Sequence, residues 1–177
     1  MPHPSRPFRE LFDHFDHEAF RLETLDDYGR SGNVDAYRAF LAGQPRPDNY
    51  NASWLSTLRE HTQAGRRVYR VHVLSRPLTP YLRFQLGWGY RTNMTAGEEF
   101  FILDVTARTN PLDGVADFWL FDSATTAVMS YDHFGAFTGA EVLPQERATE
   151  FVRSRDIALA TATPFADWWA AHGDADH

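Results

Sequence analysis

Residues 67–105 read RVYRVHVLSRPLTPYLRFQLGWGYRTNMTAGEEFFILDV. The stretch Arg67–Ser75 alternates, with Tyr69, Val71 and Val73 on one side, which is the period of a strand. Thr79-Pro80 opens a helix, because threonine caps well and proline suits a first helical position that has no intrahelical acceptor for an N–H. That helix should run to about Asn93, with Gly97 marking its end. Glu99–Val105 is then a nearly continuous apolar run, the pattern of a strand covered on both faces. Strand, helix and strand make a βαβ unit, expected to cross over right-handed.

The flanks extend this unit. Upstream, Asn51 or Ser53 can cap a helix carrying Trp54, Leu55 and Leu58, closed by Gly65. Further back, Phe8, Leu11, Phe12, Phe15 and Ala19 recur at helical spacing and predict a helix from Phe8 to about Phe20. Gly29–Gly32 breaks the chain, and a short helix over Val34–Leu41 precedes a loop at 43–47. Downstream, Ala116–Asp122 and Thr125–Tyr131 read as strands joined by a tight turn at Ser123-Ala124. A second turn over Asp132–Gly135 leads to a strand at Phe137–Val142. Pro144 opens a helix to about Thr161, and Pro164 starts a short aromatic tail helix. The expected fold is α/β (α+β): a mixed, largely antiparallel sheet of about five strands with helices packed on it and a helical N-terminal segment. The 177 residues fit a single domain, with 1–47 a helical lead-in, 48–163 the core and 164–177 the tail.

Composition narrows the function classes. The chain is 43% hydrophobic and holds 14 Phe, enough apolar surface to offset the entropy of ordering. Cysteine is absent, which removes disulfides, thiolate metal sites and cysteine nucleophiles. The formal net charge is −7, and every basic side chain is arginine, spread along the chain. Direct nucleic-acid binding needs a basic face that this pattern does not supply. No apolar stretch is long enough for a membrane helix, and no targeting signal opens the chain, so a cytoplasmic location is expected.

Several segments carry a family likeness: Phe20-Arg21-Leu22-Glu23-Thr24, the run from Arg66 into a strand, Pro77 to Phe84, NMTAGE at 93–98, DFWLFD at 117–122, and Tyr131 to Gly135 with Gly139-Ala140-Glu141. In this order they resemble the actinobacterial domain-of-unknown-function family numbered 6879, over Phe8 to Pro164. The resemblance brings no established reaction. It implies a regulatory role beside a separate helix-turn-helix regulator of the Xre type. The second half also resembles phospholipase-D-like effector folds, but the His-x-Lys-x-x-x-x-Asp nucleophile pattern cannot occur in a chain without lysine.

Candidate site residues follow from polar groups in apolar settings. Arg155 falls inside the apolar stripe of Ala148, Phe151, Val152, Ala158 and Leu159. A charge there must be paired, with Glu98, Asp122 or Glu141 as partner, or else serve as an anion-recognising floor. Gly87 and Gly89 flank Trp88 in a helix, at a cost of roughly 1 kcal/mol each against alanine. Close packing, a kink or a ligand lying on the backbone would account for them. Arg83, Tyr90 and Asn93 are the other groups to watch on this helix. Asp122 ends a strand, where it either supports the turn or acts as a base with Tyr131 as its partner. His14, His17 and Glu18 could meet on one helical face, but they suit a solvated surface, and neither a metal nor a cofactor is expected. Phe165, Trp168 and Trp169 form a stripe that docks on the core or marks a partner surface.

The leading expectation is a non-enzymatic regulatory or small-ligand-binding domain. An aromatic cleft of Trp88, Tyr90, Trp119 and Tyr131, with Arg83, Asn93, Glu98 and Arg155, would hold a small anionic or aromatic ligand. The alternative is a small enzyme of specialised metabolism using Asp122 and Tyr131. A third class, a structural dimer, would show a large apolar self-interface.

Overall fold

The computed structural model describes residues 6–173. Seven strands form one sheet in the order β6-β5-β4-β1-β2-β3-β7. The strands are β1 (Glu18–Glu23), β2 (Arg67–Leu74), β3 (Glu99–Asp104), β4 (Phe118–Phe121), β5 (Thr125–Tyr131), β6 (Phe137–Val142) and β7 (Thr163–Pro164). β1, β2 and β3 run parallel, and the other four pairings are antiparallel. The mixed, largely antiparallel sheet is therefore present, with seven strands where about five were expected.

The helices are α1 (Arg6–His14), α2 (Val34–Leu41), α3 (Ala52–Gln63), α4 (Pro80–Phe84), α5 (Arg91–Met94), α6 (Ala148–Thr161) and α7 (Phe165–His172). A π-helical turn, Gln85–Tyr90, joins α4 to α5. The Thr79 hydroxyl accepts the Leu82 N–H at 3.1 Å, so the Thr-Pro opening forms as its chemistry suggests. α3 differs: Asn51 sits at its N-cap position at φ 56°, yet its side chain makes no capping bond. The amide is engaged elsewhere, in the site described below.

The central strand β1 arises where the sequence suggested a continuous helix from Phe8 to Phe20. α1 ends at His14, and Glu18–Glu23 is extended. The helical spacing was not empty of meaning, since Phe8, Phe15 and Ala19 do share one cluster with Leu11 and Phe12 packed on it. They reach it from two elements rather than one. The β1 alternation, Phe20 and Leu22 against Arg21 and Glu23, sets the two faces of the sheet.

One face is apolar. Phe20, Leu22, Tyr69, Val71, Val73, Leu103, Phe118 and Leu120 pack with α6 through Ala158, and Phe151 and Val152 lie against them. The opposite face carries the row Phe100, Arg70, Arg21, Trp119 and Ala127 across β3, β2, β1, β4 and β5. The next row places His72 beside Glu23. α1, α3 and the α4–α5 segment cover this second face. α7 docks beyond it, where Phe165 and Trp168 are buried with Leu78, Leu82 and Leu86. That is the core-docking reading of the aromatic tail. No helix among the described residues is long and apolar enough to cross a membrane.

The β5–β6 hairpin is fastened to the loop after β1 at Gly135. Its φ is +77°, and a Cβ there would land on the Asp27 carbonyl oxygen. Backbone cannot yield as a flexible side chain can, so Gly135→Ala should cost about 2–3 kcal/mol. Urea denaturation checks this, and a loss under 0.5 kcal/mol on that order-of-magnitude scale would mean the loop is not clamped.

Candidate functional site

The polar face holds a buried network in which β1 supplies Arg21 and Glu23, β2 supplies Arg70 and His72, and the approaches to β4 and β3 supply Asp117 and Glu98. Arg21, Glu23, His72, Glu98 and Asp117 are all buried. Buried charge is costly unless paired and hydrogen-bonded, and the three carboxylates meet that condition fully. Asp117 accepts from the Arg21 Nη2 at 3.1 Å, the Tyr28 hydroxyl at 2.5 Å, and both the N–H and hydroxyl of Thr24. Glu98 accepts from the Arg70 Nε at 2.5 Å, the Trp54 indole at 3.0 Å and the Asn93 amide at 3.0 Å. Glu23 accepts from the Arg70 Nη1 at 2.9 Å and the Gln85 amide at 2.7 Å, with the Tyr90 hydroxyl 3.3 Å away.

The electrostatics reflect this pairing. Burial alone would raise the Glu23 carboxyl, but Arg70, His72 and Arg21 outweigh it and hold the group down at about 2. Burial pulls the Arg70 guanidinium down, and Glu98 and Glu23 more than restore it, so its value stands above the ordinary one. Burial pushes the Tyr28 and Tyr90 phenols well up, with Glu23 adding to both, and holds Tyr50 up at about 12. These phenols therefore keep their protons and act as donors. The buried His72 ring spans Tyr90 and Leu25: its Nε2 lies 2.9 Å from the Leu25 carbonyl and its Nδ1 2.8 Å from the Tyr90 hydroxyl. A carbonyl only accepts, so Nε2 carries a proton.

Above the network lies a cavity of about 380 Å³. Its floor is Arg21, Arg70 and Trp119, and one wall is Tyr81, Phe84, Gln85, Gly89, Tyr90 and Asn93 from the α4–α5 segment. Phe8 and Phe12 of α1, with Tyr50, Asn51 and Trp54 at the start of α3, close the other side, and Ser31–Asn33 edge the mouth. Of the two glycines around Trp88, both in the π-helical turn, only Gly89 sits where a side chain would crowd a neighbour. Gly89 lines the cavity, where a Cβ would stand 3.3 Å from the Tyr50 hydroxyl, and π-turns of this kind recur at functional sites. Asn33 donates to Asn51, which donates to Asn93 at 3.1 Å, which donates to Glu98. This amide chain runs from the mouth to the network and uses the side chain that α3 forgoes as a cap.

Hydrogen-bond accounting fixes the polarity of the cavity. Asp117 accepts four hydrogen bonds, whereas Arg21 keeps Nε and Nη1 without any partner, both out of contact with solvent. The two guanidiniums make four bonds, to Asp117, Tyr131, Glu98 and Glu23, which leaves N–H donors over. Gln85 Oε1 is an unpaired buried acceptor on the facing wall. Formally the network carries three carboxylates and two guanidiniums, yet what remains unmet is mainly donor capacity.

Of the residues singled out from sequence, Tyr90, Asn93 and Trp119 line the cavity and Glu98 lies in the network beneath it. Tyr131 accepts from Arg21 at 2.7 Å. Trp88 instead packs on Phe40, Tyr50 and Phe84, and Arg83 is outside the lining. Arg155 is on the α6 side of the sheet, where its Nη1 meets Glu18 at 2.8 Å and the Ser123 hydroxyl at 2.7 Å. It forms a structural ion pair, with Glu18 rather than Glu98, Asp122 or Glu141. Asp122 and Tyr131 are not brought together. Asp122 lies at the opposite end of β4 from Asp117, and its carboxylate accepts the backbone N–H groups of Asp16, His17 and Glu18 at 2.7–2.9 Å. Those three bonds hold its carboxyl below the ordinary range against the upward pull of burial. Its role is to pin the α1–β1 connection. Asp122→Ala should cost about 2 kcal/mol in urea unfolding while leaving any binding in the cavity unchanged. Among the described residues no group of three or more His, Asp or Glu side chains is placed to hold a metal ion.

Arg21, Glu23, Arg70, Trp54 and Gln85 were not singled out as site residues from the sequence. The signal was the second phase of two alternations, Arg21 and Glu23 in β1 and Arg70 and His72 in β2.

Fold and site together define an α/β domain whose sheet is apolar on one face and carries a buried ionic network under an aromatic-walled cavity on the other. The chain belongs to the family described as Domain of unknown function (DUF6879), which matches residues 6–170. No curated protein matches it.

Proposed function

We propose that this chain is a regulatory small-ligand-binding domain whose cavity holds an anionic ligand against Arg70 and Arg21. The observation that carries the reading is an accessible guanidinium on the floor of an aromatic-walled cavity. Arg70 is the cation that the cavity reaches, its side chain 17% exposed, with Arg21 on the neighbouring strand. The acidic net charge of −7 disfavours direct contact with DNA. The domain is instead read as acting beside a separate helix-turn-helix regulator in the cytoplasm. Native mass spectrometry of the protein taken gently from its host tests this. The expected result is an added small-molecule mass or a co-purifying regulator in the wild type, with the small-molecule mass absent from Arg21→Met. A bare mass in both would count against tight binding.

A second reading, acid–base catalysis, draws on the Tyr90–His72 pair, a phenol at the cavity wall bonded to a buried imidazole. It predicts that Tyr90→Phe abolishes turnover and leaves affinity nearly intact. If Tyr90→Phe leaves turnover of a bound substrate intact, that role is excluded.

A further inference from the structure

The ligand-binding reading concerns the inner cavity, and a second space adjoins that cavity at its mouth. We infer that this outer pocket takes a neutral sugar, so that the ligand class is a glycosylated aromatic acid, with ring and carboxylate inside and sugar outside. The inference rests on the ligand-binding reading and adds a second part to the ligand.

Three observations converge. The first is continuity: the outer pocket, of about 450 Å³, lies at the start of α3 and shares Asn33, Asn51 and Trp54 with the inner cavity. A ligand seated in one thus meets side chains of the other. The second is a change of chemistry between them. The inner cavity has aromatic walls and the Arg70 guanidinium on its floor, which suit a flat acid. The outer pocket has seven lining residues, and none of them is charged. Asn33, Asn49, Asn51, Ser53 and Thr57 each bring a side chain that holds both a donor and an acceptor. A hydroxyl has the same double character, so the hydroxyls of a sugar can be met at every position, whereas a carboxylate only accepts and an ammonium only donates. The third is spare capacity. Among the described residues the side chains of Asn49 and Ser53 make no hydrogen bond, and the Thr57 hydroxyl makes one, to the Ser53 carbonyl at 3.3 Å. Trp54 lines both spaces while its indole N–H is committed to Glu98 at 3.0 Å. Its contribution to a ligand is therefore apolar ring surface, which the C–H face of a sugar ring matches.

The test uses three probes that share one benzoate ring: para-methoxybenzoate, its para-glucosyloxy analogue, and the corresponding glucuronide, which adds a second carboxylate on the sugar. Affinities for the full chain are measured by isothermal titration calorimetry. The glucoside should bind about tenfold tighter than the methoxy acid, the net worth of one or two hydrogen bonds. In the Asn49→Leu, Ser53→Ala variant the glucoside and the methoxy acid should become nearly equal, with the methoxy acid itself unchanged. Both residues are exposed and lie outside the buried network, so the variant does not put the fold at risk. Equal binding of glucoside and methoxy acid by the wild type overturns the sugar pocket while leaving anion binding in the cavity intact. A tenfold ratio that survives in the variant overturns the assignment to these residues. A glucuronide that binds tighter than the glucoside overturns the neutral group in favour of a second anion. No binding by any of the three at millimolar concentration overturns the inferred class. The broader reading fails separately, by a bare mass in the host-purified protein.

Discussion

Glu23→Ala should destabilise the domain by about 3–5 kcal/mol, the cost of removing one partner from a buried ionic group. Glu23 lies on the central strand and is bonded by Arg70 and Gln85, with Tyr90 and His72 beside it. Its loss leaves Arg70 with Glu98 alone and strands the Gln85 amide. Urea denaturation reads the effect as a lowered midpoint at unchanged slope. The same group sets an acid limit. Its carboxyl titrates at about 2 in the folded chain, against 4.5 for the unperturbed group. The folded state therefore holds its proton less readily than the unfolded one. The stabilisation, roughly 3 kcal/mol, is complete above the unfolded value and is lost as pH falls from there through about 2. Wild type should lose stability over that window, and Glu23→Ala should lose correspondingly less. Parallel profiles for the two proteins would show that Glu23 is not the group responsible.

Asp117→Leu is expected to cost a similar 3–5 kcal/mol, because Arg21 becomes a buried guanidinium hydrogen-bonded only to the Tyr131 hydroxyl. The informative variant is the double one. Adding Arg21→Met removes the uncompensated charge and substitutes an apolar side chain of similar length, a change that proteins often tolerate. About half the loss should return, since Thr24 and Tyr28 still lack their acceptor. The cycle should give a coupling above about 2 kcal/mol. The double variant should nevertheless fail to retain the small molecule expected with the wild type, because the proposed Arg21 contact is gone. A folded double variant that retains the molecule at full occupancy would show that Arg21 serves the fold and not the site.

The sequence made the second half of the sheet legible. Thr125–Tyr131 and Phe137–Val142 form at the limits that alternation and turn residues suggested, and the Thr79-Pro80 opening is capped as expected. β1 was hidden because its second residue, Ala19, continues a helical spacing begun in α1, and both elements feed one cluster. β7 was hidden because its two residues carry no period at all. For the site, the difficulty was chemical. Apolar–charged alternation in β1 and β2 has the same form whether the charged face meets water or a buried network. Only the sheet order decides, by placing β1 and β2 at the centre under α1, α3 and α4. The inverse error occurred in α6, where Arg155 in an apolar stripe suggested a pocket floor and instead reaches Glu18. Trp119, Tyr90 and Asn93 were legible because aromatic density and a helix with unexplained glycines both point at enclosed space.

The most direct test of the account is a crystal structure of the protein purified from its own host without harsh washing. It should show density for a small molecule in the cavity over Trp119, with an acceptor group within hydrogen-bond distance of Arg70 or Arg21. A cavity filled only by waters, with those waters satisfying the Arg21 nitrogens, would contradict ligand recognition as the purpose of the network.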